Sequence, residues 1–217
     1  MRINKYLSQK GICTRKEADV LIKEGKVKIN NVKAKLGDKV KETDNVLASF
    51  KKDLTYFAFY KPKGIITHSP QRGEKEIKDI FPKDVFPVGR LDKDSEGLII
   101  LTNDGRVTDR LLNPEFLHEK EYIVKTDRPI DLKRMASGVK LDDGYITRRC
   151  MVKSLGRNIF SVVLTEGKKR QIRRMCGALG AGVKSLKRIR IMRIRLGSLR
   201  PGGYKEIKGE LLKDLGL

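Results

Sequence analysis

The sequence predicts an α+β chain in two parts: a small N-terminal αα-β unit, and a larger domain whose mixed, largely antiparallel sheet is flanked by short helices. Three observations carry that expectation. The first fifty residues hold two helical segments followed by short strands. From Thr55 onward, strands alternate with short helices, several joined by hairpin-like turns. Leu98 to Leu101 is a continuous apolar run, the pattern of a strand buried on both faces.

Taken in order, Ile3 to Lys10 reads as a helix stopped by Gly11, and Thr14-Arg15-Lys16-Glu17 is a capping box opening a second helix that ends at Gly25. Val27 to Ile29 and Val32 to Leu36 read as strands around an Asn30-Asn31 turn. This places the first unit at residues 1–48, a linker at 49–54 where periodicity lapses, and the larger domain at 55–217. There, Thr55 to Tyr60 is an aromatic-rich strand that Lys61-Pro62-Lys63-Gly64 turns back into a second strand, Ile65 to His68. Asn103-Asp104-Gly105 ends the run at Leu98 to Leu101 as a turn. Arg106 to Leu112 reads as a helix halted by Pro114, and Glu121 to Lys125 as a strand. Asp131 caps a helix over Leu132 to Ala136 that Gly138 closes. Strands follow at Ile146 to Lys153 and Ile159 to Thr165.

Of the 217 residues, 49 are Lys or Arg against 27 Asp or Glu, a formal net charge of +22. That excess attracts a polyanion, a nucleic acid or an acidic membrane surface, and opposes self-association, so a monomer is expected. No stretch approaches the roughly 18–20 apolar residues that span a bilayer, and the opening MRINKYLSQK is too polar for a signal peptide. A soluble, cytoplasmic protein with no membrane partner is the expectation. Cys13, Cys150 and Cys176 are odd in number and far apart, which argues against a disulfide framework or a zinc knuckle. With only His68 and His118, and no H-x-E partnered by C-x-x-C, zinc-deaminase chemistry is excluded. Neither a P-loop nor a G-x-G-x-x-G fingerprint occurs. Any reaction is expected to use ordinary side chains, with no metal and no cofactor.

Two segments stand out. In Phe86 to Gly105 a polar insert separates two apolar runs, and Asp92 follows Arg90 by two positions; if the segment is extended, the two side chains leave on the same side. A loop salt bridge and a functional pair both fit that spacing. The other segment, Lys168 to Arg200, holds twelve Lys and Arg residues and no acid. A solvated face mixes signs, so an interaction surface is favoured. Within it, Ile172, Met175, Cys176 and Leu179 lie at helical spacing, and the alternation from Ile189 to Leu196 shifts phase at Met192-Arg193, which suggests a bulged strand.

The N-terminal stretches R-I-N-K-Y-L, C-T-R-K-E-A-D and V-K-I-N with the following G-D resemble the S4 RNA-binding domain over about residues 2–48. Its basic residues, among them Arg2, Lys5, Arg15 and Lys16, lie mostly on or beside the two helices and are expected to contact RNA. Further on, GRLDKDSEGL, then KEY at Lys120 to Tyr122 and EGKKRQIRRM from Glu166 to Met175, resemble the three signature motifs of pseudouridine synthases carrying an N-terminal S4 domain. FPVGRLDKDSEGL, HEKEY and RIRIM look most like the F-type branch, which modifies large-subunit rRNA. The chain departs from the family after Gly180, where Ala181-Gly182 replaces a common bulky residue.

The resemblance implies the pseudouridine synthase fold and a cofactor-free isomerisation of uridine to pseudouridine in rRNA, with tRNA as a possible further substrate. It implies that Asp92 is the essential aspartate, that Tyr122 lines the pocket and assists proton removal, that Arg173 pairs with the aspartate, and that Arg90 displaces the target base. Lys168, Lys169, Arg170 and Arg174 are expected to bind RNA. These roles make physical sense. The reaction breaks the N1–C1′ bond, turns the uracil, joins C5 to C1′ and removes the C5 proton. A carboxylate can engage a sugar carbon bearing positive character, and a cation near it offsets the cost of desolvation. Whether Asp92 attacks the sugar, attacks the base or removes a sugar proton stays open. The rival reading is a ribosome-assembly or rRNA-binding protein on the same fold without catalysis; the intact Asp92, Tyr122 and Arg173 set separates the two.

Overall fold

The computed structural model describes residues 1–49 and 53–215; Phe50 to Lys52, the middle of the expected linker, lie outside the described residues. The first unit holds α1 (Ile3–Gln9), α2 (Arg15–Lys23) and a three-stranded antiparallel sheet of β1 (Val27–Ile29), β2 (Val32–Lys33) and β3 (Val46–Ala48), ordered β2-β1-β3. The capping box forms: Thr14 Oγ1 accepts from Glu17 N at 3.3 Å while Glu17 Oε2 accepts from Thr14 N at 2.7 Å. Asn30 and Asn31 both take positive φ, which closes the β1–β2 hairpin with a twist that suits it. Ile3, Leu7, Leu21, Ile22 and Val27 form the core of this unit, which leaves Arg2, Lys5, Arg15 and Lys16 exposed.

The second unit is built on a nine-stranded sheet. Its main path runs β12 (Tyr204–Glu206), β4 (Tyr56–Lys61), β6 (Glu96–Thr102), β10 (Val183–Ile191), β7 (Lys120–Thr126), β9 (Ile159–Leu164), β8 (Met151–Gly156); β5 (Phe86–Val88) pairs with β6, and β11 (Ile194–Arg195) with β10. Among the described strands only β6 and β10 run parallel. The central strands are covered on both faces, as the apolar run at Leu98 to Leu101 requires. Tyr56, Ala58, Tyr60, Leu98 and Ile100 pack on one side with Val107 and Leu111 of α4 (Gly105–Leu112), while Phe57, Phe59, Ile99 and Leu101 pack on the other with Ile77 and Phe81. Further along that second side, Val124, Phe160, Val162, Leu164 and Leu186 pack against Met135 of α5 (Leu132–Ser137) and Ile172, Met175 and Cys176 of α6 (Gln171–Ala178).

Three local expectations are corrected and a fourth is extended. Ile65 to His68 is no hairpin strand: both edges of β4 are taken by β6 and β12, Pro62 cannot donate to a ladder, and Ile66 makes only an isolated parallel bridge with Glu76. The strand expected from Ile146 begins at Met151; Ile146 makes an isolated bridge with Lys140. The phase shift at Met192-Arg193 is a two-residue hairpin between β10 and β11, with Met192 at φ 51°, and not a bulge. Asn103-Asp104-Gly105 is more than a turn, since Asp104 caps α4 by accepting from Arg106 N at 3.0 Å.

One backbone position governs the parallel seam. Gly97 sits at φ 110°, and a Cβ added there would overlap backbone atoms of Arg188 on β10. Gly97→Ala therefore pays twice, for a left-sided φ and for pushing the strands apart, and is expected to lower stability by about 1–3 kcal/mol more than Gly73→Ala. Gly73 has φ 83° and open space around it, so it reports the φ cost alone. Denaturant unfolding of the two variants checks this; equal losses would mean that close approach at the seam is not limiting.

Candidate active site

The candidate site lies over the β6–β10 seam. Residues paired across a sheet project on the same side. The register Lys61↔Gly97, Gly97↔Arg188 and Arg188↔Tyr122 therefore places Lys61, Arg188 and Tyr122 on one face, in a row across β4, β6, β10 and β7. On that face the Phe57/Phe59/Ile99 cluster lies to one side and the Val124/Val162/Leu186 cluster to the other. The polar row falls between them. Gly97, without a side chain, keeps the floor low.

The basic motif is anchored from below. Glu166, buried, accepts from Tyr145 Oη at 2.6 Å, Arg148 N at 3.0 Å and Gln171 Nε2 at 2.6 Å, while Gln171 Oε1 accepts from Lys168 N at 2.9 Å. With Arg170 in the left-handed region at φ 51°, these bonds start α6 so that its apolar stripe enters the core while Arg170 and Arg173 reach the segment carrying Asp92.

That segment is a tight turn, with Ser95 N donating to Asp92 O at 3.0 Å. Its backbone is held from two sides. The Thr67 hydroxyl, buried, donates to Leu91 O at 2.7 Å and accepts from Leu91 N at 3.0 Å, and Gly64 N donates to Lys93 O at 2.7 Å. From α6, Arg173 Nη2 donates to Asp94 O at 3.1 Å and to Ser95 Oγ at 3.2 Å. The segment 61–67, expected to be a turn leading into a hairpin strand at Ile65, instead forms one jaw of this clamp.

The arginine pairing differs from expectation. Arg173 meets the Asp94 carboxylate at 3.1 Å, and the ion pair to Asp92 comes from Arg170 at 3.8 Å. Asp94 projects from the same turn and competes for Arg173 with both its carboxylate and its carbonyl. Burial pushes the Asp94 carboxyl up, but the Arg170 hydrogen bond and the charges of Arg173 and Arg170 outweigh it and hold it below the ordinary carboxylate value. Asp92 keeps about a third of its side chain exposed. No ion pair joins Arg90 to Asp92 among the described residues; Arg90 is exposed at the approach to the turn.

Tyr122 is half-buried, packed beside the α6 cluster. Lys169 and Arg170 are exposed, and Lys168, also exposed, lies over the Tyr145 ring at 4.5 Å. Arg174 is already paired with Asp142 and Asp143. Sequence reasoning missed Thr67, Gly64 and Lys61, and gave Asp94 no role. Lys61 alone left a signal, as a lysine ending an otherwise apolar and aromatic strand. The arrangement can present an accessible carboxylate, rigidly held, to an electron-poor carbon or an acidic proton, beside a tyrosine and a basic rim suited to phosphates.

Comparison with known proteins agrees with this geometry. The RNA pseudouridylate synthase family pattern matches residues 55–178 and the S4 domain pattern matches residues 1–46. The chain is 40% identical over 99% of its length to the dual-specificity RNA pseudouridine synthase RluF of Escherichia coli, covering 78% of that protein. It is 34% identical over 99% of its length to ribosomal large subunit pseudouridine synthase B of Bacillus subtilis, covering 95% of it. A solved pseudouridylate synthase structure superposes with a TM-score of 0.75 at 26% identity, covering 99% of both chains. The motifs, the site and the fold thus converge, and the chain belongs to the RNA pseudouridylate synthase family.

Proposed function

We propose that the protein isomerises specific uridines to pseudouridine in ribosomal RNA, in the large subunit, as a cytoplasmic monomer without a cofactor. The observation that carries this reading is the partly exposed Asp92 carboxylate on a backbone-locked turn over the Lys61–Arg188–Tyr122 row. The names of the Escherichia coli and Bacillus subtilis relatives support RNA, and large-subunit RNA in the second case.

In this account Asp92 meets the sugar while the N1–C1′ bond breaks, and Tyr122 removes the C5 proton once C5 has joined C1′. Arg90, exposed beside the turn, fills the stack left by the flipped base. Arg173 positions the turn, and Arg170 is the cation nearest Asp92. Lys168, Lys169 and Arg170 take phosphates near the site, while residues 1–48, through Arg2, Lys5, Arg15 and Lys16, hold RNA farther from it. Arg174, already neutralised by two carboxylates, contributes less to that field.

Mapping pseudouridine in rRNA from cells with and without the gene tests the function. Sites should disappear on deletion and return with the wild type but not with Asp92→Asn; an unchanged map would overturn the proposal. Thr67→Val keeps shape but removes both bonds to Leu91, so kcat should fall about 100-fold at nearly unchanged KM, with Thr67→Ser restoring most of it. A variant that changes KM alone would deny Thr67 its positioning role. RNA affinity should fall with salt at about 0.7 log units per log salt for each neutralised phosphate of a single strand, and Arg15→Ala with Lys16→Ala should flatten that slope. An unchanged slope would remove α2 from the interface.

A further inference from the structure

Beneath the Asp92 turn the sheet buries positive charge that the account above leaves unused. Lys61 is 0% exposed, and among the described residues its Nζ is held only by the carbonyls of Pro62 at 2.9 Å and Ile65 at 2.6 Å. Arg188 is 4% exposed; its Nε donates to Leu98 O at 2.6 Å, and its buried Nη2 has no hydrogen-bond partner. Lys120, partly buried and two residues before Tyr122, donates to His118 O at 3.1 Å. Among the described residues none of the three forms an ion pair with a carboxylate. Burial pushes both lysines down, each to about 8; for Lys61 the pull of Asp92, Asp94 and Glu96 opposes this, and for Lys120 the charge of Arg188 adds to it.

Such an arrangement is costly. A buried cation without a counter-charge costs several kcal/mol, and a fold that needed only packing here would place apolar groups in these positions. The missing partner is an anion, and its place is the face that Lys61 and Arg188 share with Tyr122.

The reaction supplies an anion of the right size. When the N1–C1′ bond breaks, its electron pair leaves with the base, and the uracil carries a negative charge spread over N1, O2 and O4. Asp92 can satisfy the sugar carbon, but it is itself negative and cannot stabilise the departing ring. We propose that Arg188, with Lys61 and Lys120, forms a buried cationic floor that stabilises the detached uracil as its anion, Arg188 being the principal charge. This rests on the isomerase reading. The charge is transient: the ring turns, its C5 forms the new bond to C1′ with an electron pair of the anion as the Asp92 carboxylate lets go of that carbon, and the C5 proton then passes to the Tyr122 oxygen as the Tyr122 hydroxyl proton goes to N1. Atoms and electrons balance without a co-reactant. Fixed charges in a low-dielectric site act strongly on such an intermediate and need no reorganisation when the bond breaks.

The test compares leaving groups. Transcripts of large-subunit rRNA made with uridine or with 5-fluorouridine are converted under single turnover by wild type, Arg188→Gln and Arg188→Lys, and the C-linked nucleotide is measured after nuclease digestion. The 5-fluorouracil anion is the more stable of the two and needs less help from the protein. Arg188→Gln should slow the uridine transcript about 100- to 1,000-fold and the fluorinated one at least tenfold less, with Arg188→Lys between Gln and wild type on uridine. Equal slowing of both transcripts, or a wild-type rate from Arg188→Gln on uridine, would overturn the proposal. If the glutamine variant does not fold, Lys120→Met is read by the same ratio and the same criterion. Failure of the wild type to convert either transcript would instead overturn the isomerase reading.

Discussion

Asp92 is held mainly through the backbone of its turn, and its carboxylate meets Arg170 only at 3.8 Å. Leu91 is fixed at both its N and its O by one threonine hydroxyl, Lys93 O by Gly64, and Asp94 O by Arg173. A catalytic carboxylate must be rigid and still keep lone pairs free for substrate; pinning the flanking peptide groups meets both demands. The rest of the site depends on this clamp, because its two jaws come from elements on either side of the β6–β10 seam, the 61–67 segment after β4 and helix α6.

The same arrangement distributes charge. Asp94 takes the close contact with Arg173 and shares Arg170, so it acts as the counter-ion of the basic motif and spares Asp92. The structural arginines are largely satisfied in this way: Arg190 meets Glu119 and Glu121, Arg174 meets Asp142 and Asp143, and Arg106 meets Asp104. Part of the exposed excess that remains lies on the two N-terminal helices and around Lys168 and Lys169, where it is available to a polyanion. Net charge therefore indicates the class of partner, while the pattern of pairing indicates which residues meet it.

Where sequence and structure agree, the signal was local. The capping box at Thr14, the Asp131 cap and the continuous apolar run at Leu98 are decided within a few residues, and so were legible. Ile65 to His68 failed because strand pairing is not local: β12, far downstream in the chain, occupies the edge that a hairpin would have used. Met192 was misread because methionine seldom adopts positive φ, so a tight turn there carries no compositional mark. The motifs single out Asp92, Tyr122 and Arg173 as candidates, but spacing alone could not show that Asp94 rather than Asp92 would hold Arg173 in close contact. Thr67 left no trace at all, since a hydroxyl that bonds a loop two elements away looks like any other threonine.

The central claim is that this clamped carboxylate performs a complete isomerisation on RNA with the chain's own side chains. Release of tritium from a large-subunit rRNA transcript containing 5-tritiated uridine, by the purified chain in the presence of EDTA, measures this most directly, because the C5 hydrogen leaves only if the base has detached, turned and rejoined. The account predicts one tritium released for each pseudouridine formed; tight RNA binding with no tritium release would contradict it.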